Sequence, residues 1–150
     1  MTYRYEITTR NAAETQSLAA KLASQLLPGD ILALAGNLAS GKTTFTQGLA
    51  SFFQVEEYAL SPTFTYINEY HGKYQDLVHI DAYRLSNGKE LIAMGIWEYY
   101  ESGSIVVIEW ADIVPEAIPE GSIGISLRTS EQDPGSREII IASPRALELS

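Results

Sequence analysis

Cysteine is absent from the 150 residues, which excludes disulfides and thiolate-held metal and fits a reducing compartment. Histidine occurs only twice, at His71 in a polar turn and at His79 in an alternating stretch, so a zinc site lacks ligands. His79 reads as a partly buried strand residue. No run approaches the roughly 18 apolar residues that span a bilayer, and MTYRYEITTR has no uninterrupted apolar segment, so no membrane association is expected and a cytoplasmic protein is the default. Positive charge is scarce: 10 Lys+Arg stand against 19 Asp+Glu, a formal net charge of −9. Such a balance repels polyphosphate chains and disfavours direct nucleic-acid binding, while a basic protein partner is electrostatically easier. No G-x-S-x-G nucleophile motif is present, and no internal repeat divides the chain.

What remains is a chain that is 45% hydrophobic, long enough for one sizeable core, and residues 1–150 are read as one domain. TYRYEITT alternates like a half-buried strand. Asn11 with Glu14 resembles a capping box opening AETQSLAAKLASQLL, where Leu18, Leu22 and Leu26 share one helix face before Pro28-Gly29-Asp30 stops it. ILALAG is a continuous apolar run, as in a strand covered on both faces, and it feeds a glycine loop and a second helical stretch, TTFTQGLASFF. SPTFTYINEY reads as a loop entering a strand, and YQDLVHIDAYRL as a strand with an acidic end. NGKELIAMG reads as a short helix with an Asn87/Glu90 cap, and SIVVIEW as a buried strand. SIGISLRTS and REIIIAS alternate around the turn-rich EQDPGS. The economical fold is α/β, a central and mostly parallel sheet flanked by helices, with antiparallel C-terminal strands.

Gly36, Gly41, Lys42 and Thr43 satisfy G-x-x-x-x-G-K-[ST]. By residue frequencies the pattern arises by chance about once in two hundred chains of this length, and its position between a buried strand and a helix makes coincidence rarer still. The chemistry is specific. Glycines let backbone N–H groups converge on phosphate oxygens, and the helix N-terminus adds positive potential. The loop residues Gly36, Asn37, Leu38, Ala39, Ser40, Gly41, Lys42, Thr43 and Thr44 are the candidate nucleotide cradle. Lys42 is placed to reach the β- and γ-phosphates and the Thr43 hydroxyl to bind Mg²⁺.

A site of this kind needs an acid to hold Mg²⁺ or its water shell. Glu109 closes the apolar run Ile105-Val106-Val107-Ile108, and Asp81 closes Leu77-Val78-His79-Ile80. A buried unpaired carboxylate is costly, so each is expected at the carboxyl end of its strand, where α/β proteins bind ligands. Ser61-Pro62-Thr63-Phe64-Thr65 precedes the next strand, where nucleotide switches carry γ-phosphate-sensing hydroxyls; by itself it is an ordinary turn.

Taken in order, GNLASGKTTFTQG, SPTFTYINEY, HIDAYRL, ELIAMGIWEYY and VVIEWAD resemble the bacterial TsaE family from about residue 31 to residue 112. The resemblance implies a compact P-loop NTPase fold and an ATPase that binds ATP/ADP with Mg²⁺. It also implies work with a TsaB–TsaD complex, in which TsaD transfers threonylcarbamoyl to an adenosine of tRNA; strong direct tRNA binding by this acidic chain is not expected. By matching positions, Lys42 is the P-loop lysine, Thr43 and Glu109 the Mg²⁺ ligands, and Asp81 an acid needed for hydrolysis. Thr63 and Thr65 belong to a switch-like segment facing the γ-phosphate, Trp110 lies near the nucleotide, and Arg137 is a further nucleotide contact. The loop departs from the usual G-D-L-G-A-G-K-T-T: Asn37 replaces an acid, Ala39 a glycine, and Ser40 an alanine.

Two other readings stay open on the residues. A P-loop small-molecule kinase would need cationic side chains over the transferring phosphoryl group, yet between Lys42 and Arg128 the only basic residues are Lys73, Arg84 and Lys89. A non-hydrolysing module that ATP merely orders is the second, and the acids at 81 and 109 argue for turnover instead.

Overall fold

In the computed structural model, which describes residues 2–37, 40–55 and 66–150, the strands form one seven-stranded sheet. In chain order the elements are β1 (Tyr3–Thr9), α1 (Ala12–Ala23), β2 (Ile31–Ala35), α2 (Lys42–Phe52), β3 (Ile67–Tyr70), β4 (Leu77–Asp81), α3 (Gly88–Ala93), α4 (Ile96–Glu101), β5 (Ile105–Glu109), β6 (Ile123–Thr129) and β7 (Arg137–Ser143). The sheet order is β1-β7-β6-β2-β5-β4-β3. Strands β6, β2, β5 and β4 pair parallel, and β3, β7 and β1 add antiparallel at the edges. The expected α/β sheet with a parallel centre and antiparallel C-terminal strands is therefore present. Among the described residues no helix is long and apolar enough to cross a membrane.

Strand alternation divides the core between the two faces of the sheet. Leu32, Leu34, Leu77, Ile105, Val107, Ile123 and Ile125 bury one face against Leu18 and Leu22 of α1 and Phe45 and Leu49 of α2. Val78, Ile80, Val106 and Ile108 bury the other against Leu91 of α3 and Ile96 of α4. The parallel centre, covered on both sides, accounts for the unbroken apolar runs of β2 and β5.

The local signals mostly hold. Asn11 Oδ1 accepts from the Glu14 N–H at 2.8 Å, and Asn87 Oδ1 accepts from the Lys89 and Glu90 N–H groups at 3.0 and 3.4 Å. Helix α1, however, ends at Ala23 rather than running on through Leu27. Ser24 Oγ and Gln25 Nε2 donate to the Lys21 carbonyl, and the Gln25 N–H turns back to the Leu22 carbonyl, so the next turn of helix loses its acceptors ahead of Pro28. Helix α4 was not expected at all. It is six residues long and is preceded by Gly95, whose φ is 85°, so it has neither a capping side chain nor enough length to show a period.

Helix α2 carries the glycine loop, and its seating depends on Gly48. A Cβ there would stand 2.8 Å from the Gln16 carbonyl oxygen, 2.9 Å from Gln16 Cα and 2.8 Å from Ala19 Cβ, all on α1. The missing side chain is what lets the two helices meet so closely. Alanine is intrinsically the better helix residue by about 1 kcal/mol, but forcing packed backbones apart costs about 1–3 kcal/mol. Gly48→Ala is thus expected to lower the urea midpoint with an unchanged denaturant slope. A midpoint equal to or above wild type would show that the helices separate freely.

Candidate functional site

The loop leaves β2 at Gly36, whose φ is 153°. A Cβ there would lie 2.5 Å from the Leu127 carbonyl oxygen of β6 and 2.5 Å from Ser40 Oγ, so the chain can pass only as glycine. It enters α2 through Gly41, whose φ is 104°; the helix has no N-cap side-chain bond and no acidic residue in its first turn. The N–H ends of that turn direct the helix's positive potential towards an anion.

Lys42 occupies the centre. It is only 5% exposed, and its Nζ donates to the Gly36 carbonyl at 2.5 Å, the Asn37 carbonyl at 2.8 Å and Ser40 Oγ at 3.3 Å. The Trp110 ring covers it, with Nζ 3.9 Å from the centroid. Burial pulls the Lys42 ammonium below its usual pKa, and the charges of Glu109, Asp112 and Asp81 oppose that fall.

The acids arrive from adjacent parallel strands. Register pairs Asp81 with Glu109, and alternation sends both to the face covered by α1 and α2. Glu109 is 3% exposed; its burial is compensated because Oε2 is hydrogen-bonded to His79 Nε2. Asp81 is half-buried, and its Oδ1 accepts from the Tyr83 N–H at 3.0 Å, which sets the carboxylate's orientation. Trp110 follows Glu109 with φ at 61°, a left-handed conformation that costs a bulky residue on the order of 1–3 kcal/mol. That turn aims its indole back over Lys42, with the Tyr83 ring packed on it at 4.9 Å.

Together Ser40, Gly41, Lys42, Thr43, Thr44, Asp81, Tyr83, Glu109, Trp110 and Arg137 line one cleft of about 310 Å³. Arg137 comes from the first position of β7; its Nη1 donates to the Pro134 and Ser136 carbonyls at 2.6 and 2.8 Å, and its Nε would lie 3.5 Å from a Cβ at Gly41. Gly36 and Asn37 stand beneath the cleft as acceptors for Lys42. Leu38, Ala39, Thr63 and Thr65 lie outside the described residues. A larger hollow, about 520 Å³, is lined by Ser51, Gln54, Val55, His71, Gly72 and Lys73; none of these described residues is a carboxylate or opens a helix, so the smaller cleft is the candidate site.

Sequence reasoning missed His79 and Tyr83. His79 is fully buried rather than partly buried. Its place two residues before Asp81 puts it on the same strand face, and that parity was the available signal. The donor set suits a hard cation on nucleotide phosphates: carboxylate and hydroxyl oxygens, with no sulfur. Among the described residues no group of three His, Asp or Glu side chains could hold a metal by itself. Mg²⁺ takes one or two protein carboxylates and leaves the rest of its shell to phosphate and water.

A mixed sheet whose central parallel strand runs through a glycine loop into an open helix N-terminus is the P-loop NTPase fold. Within that class, the family model described as Threonylcarbamoyl adenosine biosynthesis protein TsaE matches residues 9–139, and the chain belongs to that family. It is 37% identical to the tRNA threonylcarbamoyladenosine biosynthesis protein TsaE of Bacillus subtilis, over 87% of this chain and 80% of that one. It is likewise 37% identical to the Treponema pallidum protein of the same name, over 89% of this chain and 97% of the relative. The crystal structure of YdiB from Bacillus subtilis superposes with a TM-score of 0.78 at 32% identity, covering 95% of this chain and 87% of that one.

The loop geometry makes a direct prediction. Gly36→Ala should lower stability by about 1–3 kcal/mol, because the new methyl meets the Leu127 carbonyl of β6. Gly124→Ala, where a Cβ meets nothing within 4 Å, serves as the control. Equal thermal midpoints for the two variants would contradict the close passage.

Proposed function

We propose that the cleft binds ATP with Mg²⁺ and hydrolyses it, and that this turnover resets a TsaB–TsaD transferase complex between rounds of tRNA threonylcarbamoylation. The observation that carries the reading is one convergence. A buried ammonium, an uncapped helix N-terminus and two strand-end carboxylates face the same 310 Å³. The family supports the place in tRNA modification.

In this reading the N–H groups at the start of α2 bind the phosphates, and Lys42 exchanges its loop carbonyls for β- and γ-phosphate oxygens. Thr43 and Glu109 would hold Mg²⁺, which would supply neutralisation of phosphate charge. Asp81, oriented by the Tyr83 N–H, positions the water that attacks the γ-phosphorus as the bond to the β-phosphate oxygen breaks and ADP leaves. Trp110 and Tyr83 wall the cleft, and Thr63 and Thr65 sense the γ-phosphate.

Hydrolysis by the chain alone is slow in this account. Of the described residues lining the cleft only Lys42 and Arg137 are cationic, and Arg137 already donates to two carbonyls. A partner that completes the charge stabilisation raises the rate, as in stimulated GTPases. The same scarcity disfavours a small-molecule kinase, and the paired acids disfavour a module that only binds. The net charge of −9 supports docking on a basic protein surface rather than on tRNA.

Phosphate release from ATP, measured with and without a TsaB–TsaD complex, tests the reading. Wild type should be slow alone and faster with the complex. Lys42→Ala should fall about a hundredfold, the usual effect of removing one transition-state donor, and should stop multi-turnover threonylcarbamoylation. Equal product from wild type and variant over many turnovers would exclude the role.

A further inference from the structure

His79 has no part in the phosphate grip, yet it is wholly buried beside it. It lies in the middle of β4, 0% exposed, paired in register with Val107 of β5 and flanked by Val78 and Ile80. An imidazole in such apolar surroundings is unfavourable unless a partner satisfies it. Its partner is the one carboxylate of the site that is itself almost wholly buried, since Nε2 is hydrogen-bonded to Glu109 Oε2.

Register explains the reach. Asp81, not His79, is level with Glu109, so His79 sits one pleat further from the cleft on the same strand face. It therefore meets Glu109 from beneath, while Glu109 lines the cleft above. A carboxylate that is to hold a cation is ionised and only accepts, and in that state Nε2 supplies the proton of this bond. One oxygen is thereby anchored and the plane of the carboxylate is set. Groups that hold a metal-ligating side chain in this way typically change metal affinity 10–100-fold when removed.

We propose that His79 is a positioning residue for Glu109: its Nε2–H holds Oε2 from below, so that the carboxylate presents itself to the divalent cation accompanying the nucleotide. The inference rests on the Mg²⁺-nucleotide reading of the cleft and adds a group outside it. It makes the cation's contribution to binding depend on a side chain that touches neither cation nor nucleotide.

The test is calorimetric titration of ADP into the full chain, in Mg²⁺ and in EDTA, and of Mg²⁺ into the ADP-saturated chain, for wild type, His79→Gln, His79→Asn and His79→Leu. Wild type should bind ADP more tightly in Mg²⁺. His79→Leu and His79→Asn should keep the EDTA affinity within about twofold yet lose about 10–100-fold in Mg²⁺ affinity at saturating ADP. His79→Gln, whose amide reaches about as far as Nε2, should recover most of that loss; the shorter Asn should not. The Asn and Gln pair decides the matter even if the Leu variant fails to fold. Equal Mg²⁺ affinity in Asn, Gln and wild type would overturn the proposal, as would losses of equal size in Mg²⁺ and EDTA. Absence of ADP binding to wild type would instead remove the nucleotide reading beneath it, and the proposal with it.

Discussion

Lys42 holds an ammonium group at 5% exposure, and the geometry of the loop follows from the need to keep it solvated by protein. Two carbonyls, one hydroxyl and an indole face take the place of water. For the Gly36 carbonyl to serve, the chain must pass against β6 where only glycine fits; for the indole to serve, Trp110 must adopt a left-handed backbone. A desolvated cation over an aromatic face returns about 2 kcal/mol, the same order as the strain at Trp110. The two offset each other, and the ring is held where incoming phosphate would compete with it.

Compensation also comes from the sheet. Strand order places β5 between β2 and β4, so the strand feeding the loop and the strand ending in Asp81 both border the one ending in Glu109. The charges of Glu109, Asp112 and Asp81 then oppose the loss of the Lys42 proton. The arrangement is balanced without being saturated. Lys42 donates to neutral oxygens, which an anionic phosphate outcompetes, while the N–H groups of the first turn of α2 meet no side-chain cap. A ligand bearing several phosphate charges can satisfy both at once, which ties the packing of the loop to its function.

Much of this was legible in the residues because it rests on short-range rules. The strand, glycine loop and helix unit, the caps at Asn11 and Asn87 and the apolar runs of β2 and β5 are local statements, and the structure carries them. Strand order is not local: nothing in SIGISLRTS says that Ile123 lies beside Leu32, and that pairing together with the β6–β7 pairing brings Arg137 of β7 to the loop. Helix α4 was invisible for lack of length, and the last turn foreseen for α1 lost an acceptor to the Gln25 side chain, whose amide also donates to the carbonyl of Glu148, 123 positions away. At the site, Lys42, Asp81 and Glu109 were readable as motif positions. His79 was not, because a lone histidine among apolar residues has no meaning until the register shows which carboxylate lies above it.

The central claim is that Lys42 changes partners, leaving the carbonyls of its own loop for phosphate oxygens. A crystal structure of the chain with Mg²⁺ and a non-hydrolysable ATP analogue tests this directly. The account predicts phosphates on the backbone N–H groups that open α2, Nζ withdrawn from Gly36 and Asn37 onto phosphate oxygens, and Mg²⁺ between Thr43 and Glu109. An analogue bound away from the loop, or one bound in the cleft with Nζ still on the Gly36 and Asn37 carbonyls, would contradict it.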